Sequence, residues 1–169
     1  KPTLEKIPTF KEVLELLKGK VMLDIDYKAE GKRAARSTAR LLRKTKMERQ
    51  SLFFLYDYRD APALRRMNKK IQFMMRAYNR EDVDGIFNQG IEVPVIHADA
   101  KFYSDSLMGV IRGKGIRLWM NALGKYDTME KTETNSGFDA LLQMRHTNII
   151  QTDLYKELMD YLKVRGLHR

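Results

Sequence analysis

Cysteine is absent from the 169 residues, which excludes disulfides, thiolate metal sites and cysteine nucleophiles. No apolar run approaches the roughly 20 residues that cross a bilayer, so no membrane span is predicted. No glycine-rich loop follows an apolar run, which removes the usual signature of dinucleotide- and nucleotide-binding sheets. The one suggestive glycine pair, in Arg112-Gly113-Lys114-Gly115, is read as the end of a helix. The chain opens Lys1-Pro2-Thr3, with neither an initiator Met nor a charged-then-apolar leader, and further sequence is expected upstream.

What is present has the composition of an ordinary globular domain, 43% apolar and 32% charged, and its length fits one domain over residues 1–169. Basic residues outnumber acidic ones by 32 to 22, a net charge of +10 that suits anionic partners such as phosphorylated metabolites, nucleic acid or acidic lipid headgroups. The largest basic group is Lys32, Arg33, Arg36, Arg40, Arg43, Lys44 and Lys46, with helical spacing that reads as one solvated face. Arg65, Arg66, Lys69 and Lys70 form a second group, and Lys163, Arg165 and Arg169 a third. No aromatic residues interleave with them as a single-strand binding platform needs, so nucleic acid is not an expected partner.

Short apolar runs alternate with helical patterns along the chain. The runs are Val21–Asp26, Ser51–Leu55, Ile71–Ala77, Val93–His97, Ile116–Asn121 and Asn148–Gln151, each bounded by turn or charged residues as buried parallel strands are. Helices are predicted over Phe10–Leu17, Glu30–Lys44, Ala61–Asn68, Glu81–Asn88, Ser104–Arg112, Phe138–Arg145 and Leu154–Val164. Thr9 with Glu12 reads as a capping box; Asp60 before Pro62, Ser104 and Asp153 read as first-turn or cap residues. Gly19, Gly90, Gly115 and Gly166 stand where left-handed helix ends are favoured. The alternation predicts an α/β fold with a parallel sheet, either an open doubly wound sheet or an eight-stranded barrel short of two strands.

Leu23-Asp24-Ile25-Asp26-Tyr27-Lys28 carries the densest chemistry. Side chains alternate along a strand, so Asp24, Asp26 and Lys28 share one face and Ile25 and Tyr27 the other. Two carboxylates can hold a hard divalent cation, and a lysine two residues on can meet a phosphate oxygen. Other strand ends add Tyr56, Asp57 and Tyr58, then Arg76, His97 and Asp99, Trp119 and Asn121, and Gln151 and Asp153. Of the three histidines His97 is the best placed, though a structural role suits it as well as proton transfer; His146 and His168 are given no role.

These stretches resemble a known family, the glycerophosphodiester phosphodiesterases. Ile7-Pro8-Thr9-Phe10-Lys11-Glu12-Val13-Leu14-Glu15-Leu16 is similar to the family's Ile-Pro-Thr-Leu-Glu-Glu helix. Gly19-Lys20-Val21-Met22-Leu23-Asp24-Ile25-Asp26-Tyr27-Lys28 resembles the strand that follows it, ending in an acidic residue, one spacer and a lysine. Leu118-Trp119-Met120-Asn121-Ala122-Leu123-Gly124 resembles its tryptophan-bearing strand, and Asn148-Ile149-Ile150-Gln151-Thr152-Asp153 its last strand. Between about Glu30 and Lys114 the likeness lies in the order of elements.

The resemblance implies a (β/α)8 TIM-type barrel, of which strands three to eight are present and the first two absent. It implies metal-dependent hydrolysis of glycerophosphodiesters to glycerol phosphate and an alcohol, with calcium or magnesium as cofactor. Asp26 falls on an acidic metal ligand, usually a glutamate one methylene longer; Lys28 falls on the phosphate-facing catalytic lysine and Trp119 on a substrate-binding aromatic. The family's His-Arg-Gly motif, acidic ligand pair and second histidine are not found before Ile7, so the catalytic histidines are expected in an upstream segment. The other expectation is a noncatalytic barrel relative that binds anionic phospholipid headgroups. A small anionic phosphodiester is the expected partner, with a second copy of the chain covering the open sheet edges.

Overall fold

The computed structural model describes residues 4–28 and 32–168. Helices and strands alternate except between the last two strands, where two helices follow one another: α1 (Phe10–Leu17), β1 (Leu23–Asp26), α2 (Lys32–Thr45), β2 (Ser51–Leu55), α3 (Ala61–Met67), β3 (Gln72–Ala77), α4 (Arg80–Asn88), β4 (Val95–Ala98), α5 (Asp105–Gly113), β5 (Arg117–Asn121), α6 (Lys125–Thr132), α7 (Ser136–Leu142), β6 (Ile149–Gln151) and α8 (Tyr155–Val164). Three single 3-10 turns, Glu48–Gln50, Tyr58–Asp60 and Ala100–Phe102, adjoin the strands. The proposed start of α2 at Glu30, the opening Lys1-Pro2-Thr3 and Arg169 lie outside the described residues.

All six strands run parallel in the order β1-β2-β3-β4-β5-β6, with Asp26 beside Phe54, Arg76 beside His97, and Asn121 beside Gln151. Each strand lies where the apolar runs place it. The fourth begins two residues later than the run Val93–His97, because Pro94 has no amide to donate; its carbonyl instead accepts from the Arg117 amide at 2.9 Å.

Strand alternation separates two apolar layers. Phe53, Leu55, Phe73, Met75, Ile96, Leu118 and Met120 point outward and pack with Leu14, Leu42, Leu64, Val83, Ile86, Met108 and Ile111 of the helices. Full burial of a side chain of this size stabilises the fold by about 1.5–3 kcal/mol, so the outer layer is the main source of stability. Leu52, Phe54, Met74 and Val95 point to the opposite face, where Trp119 and Ile149 join them. Above this smaller layer, Asp24 and Asp26 of β1 and Gln151 of β6 line one cavity of about 260 Å³. Residues of the first and last strands can share a cavity only if the sheet curls. The six strands are therefore a barrel wall, three-quarters of an eight-stranded one, rather than an open doubly wound sheet.

Local signals explain most of the helix boundaries. Thr9 and Glu12 form the reciprocal capping box, and the Ser104 hydroxyl accepts from the Leu107 amide. Asp60 precedes α3 but makes no side-chain cap bond. Asp153 does not cap the last helix. The Thr152 hydroxyl accepts from the Leu154 amide instead, while the Asp153 amide donates to buried Asp127 at 3.0 Å. The sequence reading missed α6, Lys-Tyr-Asp-Thr-Met-Glu-Lys-Thr, because it buries carboxylates rather than an apolar stripe. Asp127 accepts from the Thr152 hydroxyl at 2.6 Å, and Glu130 from the amides of Asn135 and Phe138 at 2.7 and 3.2 Å.

Candidate functional site

The candidate site lies at the C-terminal ends of the strands, where the inner face changes from apolar to polar within one side-chain period. On β1, Asp24 and Asp26 face the cavity and Ile25 packs outward, as the alternation predicts. Beyond the strand the Lys28 side chain returns to the Asp26 carboxylate at 2.7 Å and donates to the Tyr56 hydroxyl at 2.6 Å. That hydroxyl donates in turn to the other oxygen of Asp26 at 3.0 Å, closing a triangle of lysine, aspartate and tyrosine. Half or more of the Lys28 and Asp26 side chains is open to solvent or nearly so, at 67% and 48%. An exposed pair of this kind is screened by water, so the triangle does little for stability. It does hold the lysine cationic: the bond to Asp26 and then the bond to Tyr56 raise its pKa above the ordinary value.

Across the cavity, Arg76 on β3 donates to Asp99 at 2.9 Å and hydrogen-bonds the His97 ring on β4. A guanidinium only donates, so His97 Nε2 must accept and the ring must be neutral. Burial, and then the adjacent Arg76 charge, push the His97 pKa down to about 3, with Asp99 opposing. His97 is therefore fixed as an acceptor and cannot serve as a proton shuttle near neutral pH.

Burial on the barrel side and the neighbouring Asp26 charge raise Asp24 to about 6, although its outer side stays open at the sheet edge. Two carboxylates side by side, one of them resisting ionisation, suit an oxygen-liganded hard cation in kind. They are not a full ligand set: among the described residues, no group of three or more His, Asp or Glu side chains could hold a metal ion.

Trp119 sits one layer below the mouth, half-buried against the inner apolar cluster, with its indole N–H donating to Gln151 at 3.3 Å. Gln151 and Asn121 line the cavity, and Asn121 Oδ1 accepts from the Leu123 amide at 2.7 Å. Asp57 is drawn away to cap the turn after β2, accepting from the Arg59 amide at 2.9 Å. Tyr58 packs toward α4, where its carbonyl accepts from Gln89. A second cavity, about 470 Å³, adjoins the first at Arg76 and Asn121, and no sequence pattern marks it. Its other walls include Asp99, Lys101, Lys125 and Tyr126, loop residues that no strand pattern marks.

The sequence matches no protein-family model, and no curated protein matches it. Solved structures do match in shape. A glycerophosphoryl diester phosphodiesterase from Parabacteroides distasonis superposes with a TM-score of 0.77 at 19% identity, over 95% of this chain and 56% of its own. A glycerophosphodiester phosphodiesterase from the same organism gives 0.64 at 14% identity, over 96% of this chain and 66% of its own. The chain thus spans less than two thirds of the length of the structures it matches. The fold is that of strands three to eight of the (β/α)8 barrel seen in these phosphodiesterases, which is the resemblance read from the residues.

Proposed function

We propose that this barrel mouth binds a phosphodiester and, joined to an upstream segment bearing the catalytic histidines, hydrolyses glycerophosphodiesters to glycerol phosphate and an alcohol. One observation carries the reading: Asp24, Asp26 and Tyr56 line the same cavity as Arg76, and Lys28, outside that lining, is bonded to both Asp26 and Tyr56, which brings two cations and a carboxylate pair to the neighbourhood of one space. Lys28 is the catalytic lysine. Kept protonated by its partners, it cannot act as a base; it stabilises charge growing on the nonbridging oxygens. Arg76, locked by Asp99 and His97, is positioned to meet the phosphate without reorganising. Asp26, with Asp24 beside it, would hold part of the coordination of calcium or magnesium. When bound, that ion neutralises phosphate charge and lowers the pKa of the attacking hydroxyl. Trp119 shapes the substrate site from below through Gln151.

The test is the gene upstream of Lys1, expressed together with these residues. His-Arg-Gly and Glu-x-Asp motifs there, with hydrolysis of glycerophosphocholine abolished by EDTA, are the expected result. Asp26→Ala and Lys28→Ala should each lower kcat on the order of 100-fold, as loss of a charge-stabilising group does, and Trp119→Ala should raise KM. Hydrolysis undiminished in Asp26→Ala sinks the assignment. The alternative is a noncatalytic relative that binds anionic phospholipid headgroups, for which the net charge of +10 is suited. It predicts headgroup binding without turnover even with the upstream segment in place.

A further inference from the structure

The two cavities at the mouth differ in charge, and that difference bears on which phosphodiester the site takes. The smaller cavity holds both carboxylates, Asp24 and Asp26. The larger one, about 470 Å³, has Arg76, Lys101 and Lys125 in its walls against a single carboxylate, Asp99. Asp99 is already engaged, accepting from Arg76 at 2.9 Å and from the Lys101 amide at 3.0 Å. Among the described residues neither Lys101 nor Lys125 is paired with a carboxylate. Lys125 instead rests 5.2 Å over the Tyr126 ring, which forms part of the same wall. Asn121 spends its amide oxygen on the Leu123 amide, which leaves its two N–H donors for the cavities it lines. The compartment lies over the ends of β3, β4 and β5, in the middle of the six strands, so the described residues bound it. Its volume falls within the range of about 300–1,000 Å³ typical of small-molecule sites.

Resting on the proposed phosphodiesterase reading, we infer that this second compartment binds a second negative charge on the substrate, selecting phosphodiesters whose alcohol carries a phosphate or carboxylate. The glycerol half of the substrate is uncharged, so the anion must sit on the alcohol. With the scissile phosphate between Lys28 and Arg76, the alcohol extends along β4 and β5, away from the carboxylates and toward the lysines. Free lysines in a concave wall favour such a group by electrostatic complementarity, and Asn121 supplies uncharged donors at the junction.

The experiment compares glycerophosphoinositol with glycerophosphoinositol 4-phosphate, titrated by calorimetry into the purified chain at fixed ionic strength, so that binding is read without turnover. The phosphorylated ligand is expected to bind about tenfold more tightly, equivalent to about 1.4 kcal/mol. In the Lys101→Ala/Lys125→Ala double variant the ratio of the two affinities should fall toward one. Both lysines are exposed, and circular dichroism will show whether the variant keeps its fold. Equal affinities in the unsubstituted chain, or a tenfold ratio that survives the double substitution, overturn the assignment while leaving the phosphodiester site standing. Binding of neither diester overturns both.

Discussion

The bond between Arg76 and His97 makes a prediction about pH that can be followed to a number. His97 is 4% exposed, and its ring accepts from a permanently charged guanidinium. Protonating it would turn the acceptor into a donor, set two donors against each other and bury a second positive charge beside the first. Its folded pKa of about 3 lies below the ordinary value of 6.5. In the unfolded chain the histidine takes up its proton near pH 6.5, whereas the native state refuses it. The stabilisation is thus fully present above pH 6.5 and is lost as pH falls through the folded pKa. Over that window the slope is about 1.4 kcal/mol per pH unit, or about 3 kcal/mol by pH 4. His97→Gln keeps an acceptor for Arg76 but cannot titrate. At pH 7 it should be less stable by about 1–3 kcal/mol, for lost packing and a poorer hydrogen bond. At pH 4 that deficit should have closed or reversed. Urea unfolding followed by far-ultraviolet circular dichroism at both pH values measures the difference, with the carboxylates common to both proteins cancelling. An equal loss of stability in the two proteins, or an imidazole resonance of His97 titrating near pH 6.5, refutes the argument.

Two glycines should respond oppositely to the same substitution. A Cβ on Gly137 would lie 2.0 Å from the Tyr126 carbonyl oxygen and 2.9 Å from the Glu130 nitrogen, backbone atoms that cannot swing aside. Overpacking of about 1–3 kcal/mol or more outweighs the helix-propensity gain of about 1 kcal/mol, so Gly137→Ala should lower the urea midpoint. Gly113 has nothing within 4 Å, so Gly113→Ala should raise it; equal shifts in the two variants count against the close approach of α6 and α7. Purified residues 1–169 should not turn over glycerophosphocholine with calcium or magnesium, because His97 is fixed neutral and none of the other described residues is assigned proton transfer; phosphorus NMR showing product would overturn this. Among the described residues β1 pairs only with β2 and β6 only with β5, and Ile7, Leu16, Val21 and Met22 around β1 are exposed. Light scattering should therefore find the chain self-associated, and a well-ordered monomer with both edges bare speaks against edge covering.

The strands were legible because a buried parallel strand needs apolar side chains on both faces, and Ser51–Leu55 and the run ending at His97 supply them without interruption. The parity of Asp24 and Asp26 was equally legible, since it depends only on the two-residue period of the strand. The triangle at Lys28 was half legible. Asp26 and Lys28 are neighbours in the chain, but Tyr56 reaches them from 28 residues further on, and only the pairing of β1 with β2 brings it there. The fixed state of His97 could not be read, because it arises from Arg76 across a strand pair. α6 escaped for a different reason: Asp127 accepts from the Asp153 amide and Glu130 from the amides of Asn135 and Phe138, and sequence periodicity carries no mark of such bonds.

The same period that fixes the fold also fixes the site. At the ends of β2 and β3 the inward positions run from Phe54 to Tyr56 and from Met74 to Arg76, so one step of two residues carries the inner face from the apolar layer to the mouth. A slip of β1 by one residue against β2 would turn Ile25 and Tyr27 inward and press Asp24 and Asp26 against Phe53 and the helices. Burying two carboxylates there without partners costs several kcal/mol, a large share of the roughly 5–15 kcal/mol that holds a domain together. Among the described residues no lysine or arginine is buried in the outer layer to meet the aspartates, so that layer disfavours the wrong register. Lys28 and Arg76 meet anionic groups on the correct side. The charge pattern read as chemistry is also what holds the first strand in place, so substitutions that neutralise Asp24 and Asp26 together should loosen the register of β1. Amide hydrogen exchange can follow this: protection of Ile25 should fall in the doubly neutralised variant while that of Phe73 stays unchanged. Unchanged protection at Ile25 would show that the apolar contacts of Leu23 and Ile25 fix the register without the carboxylates.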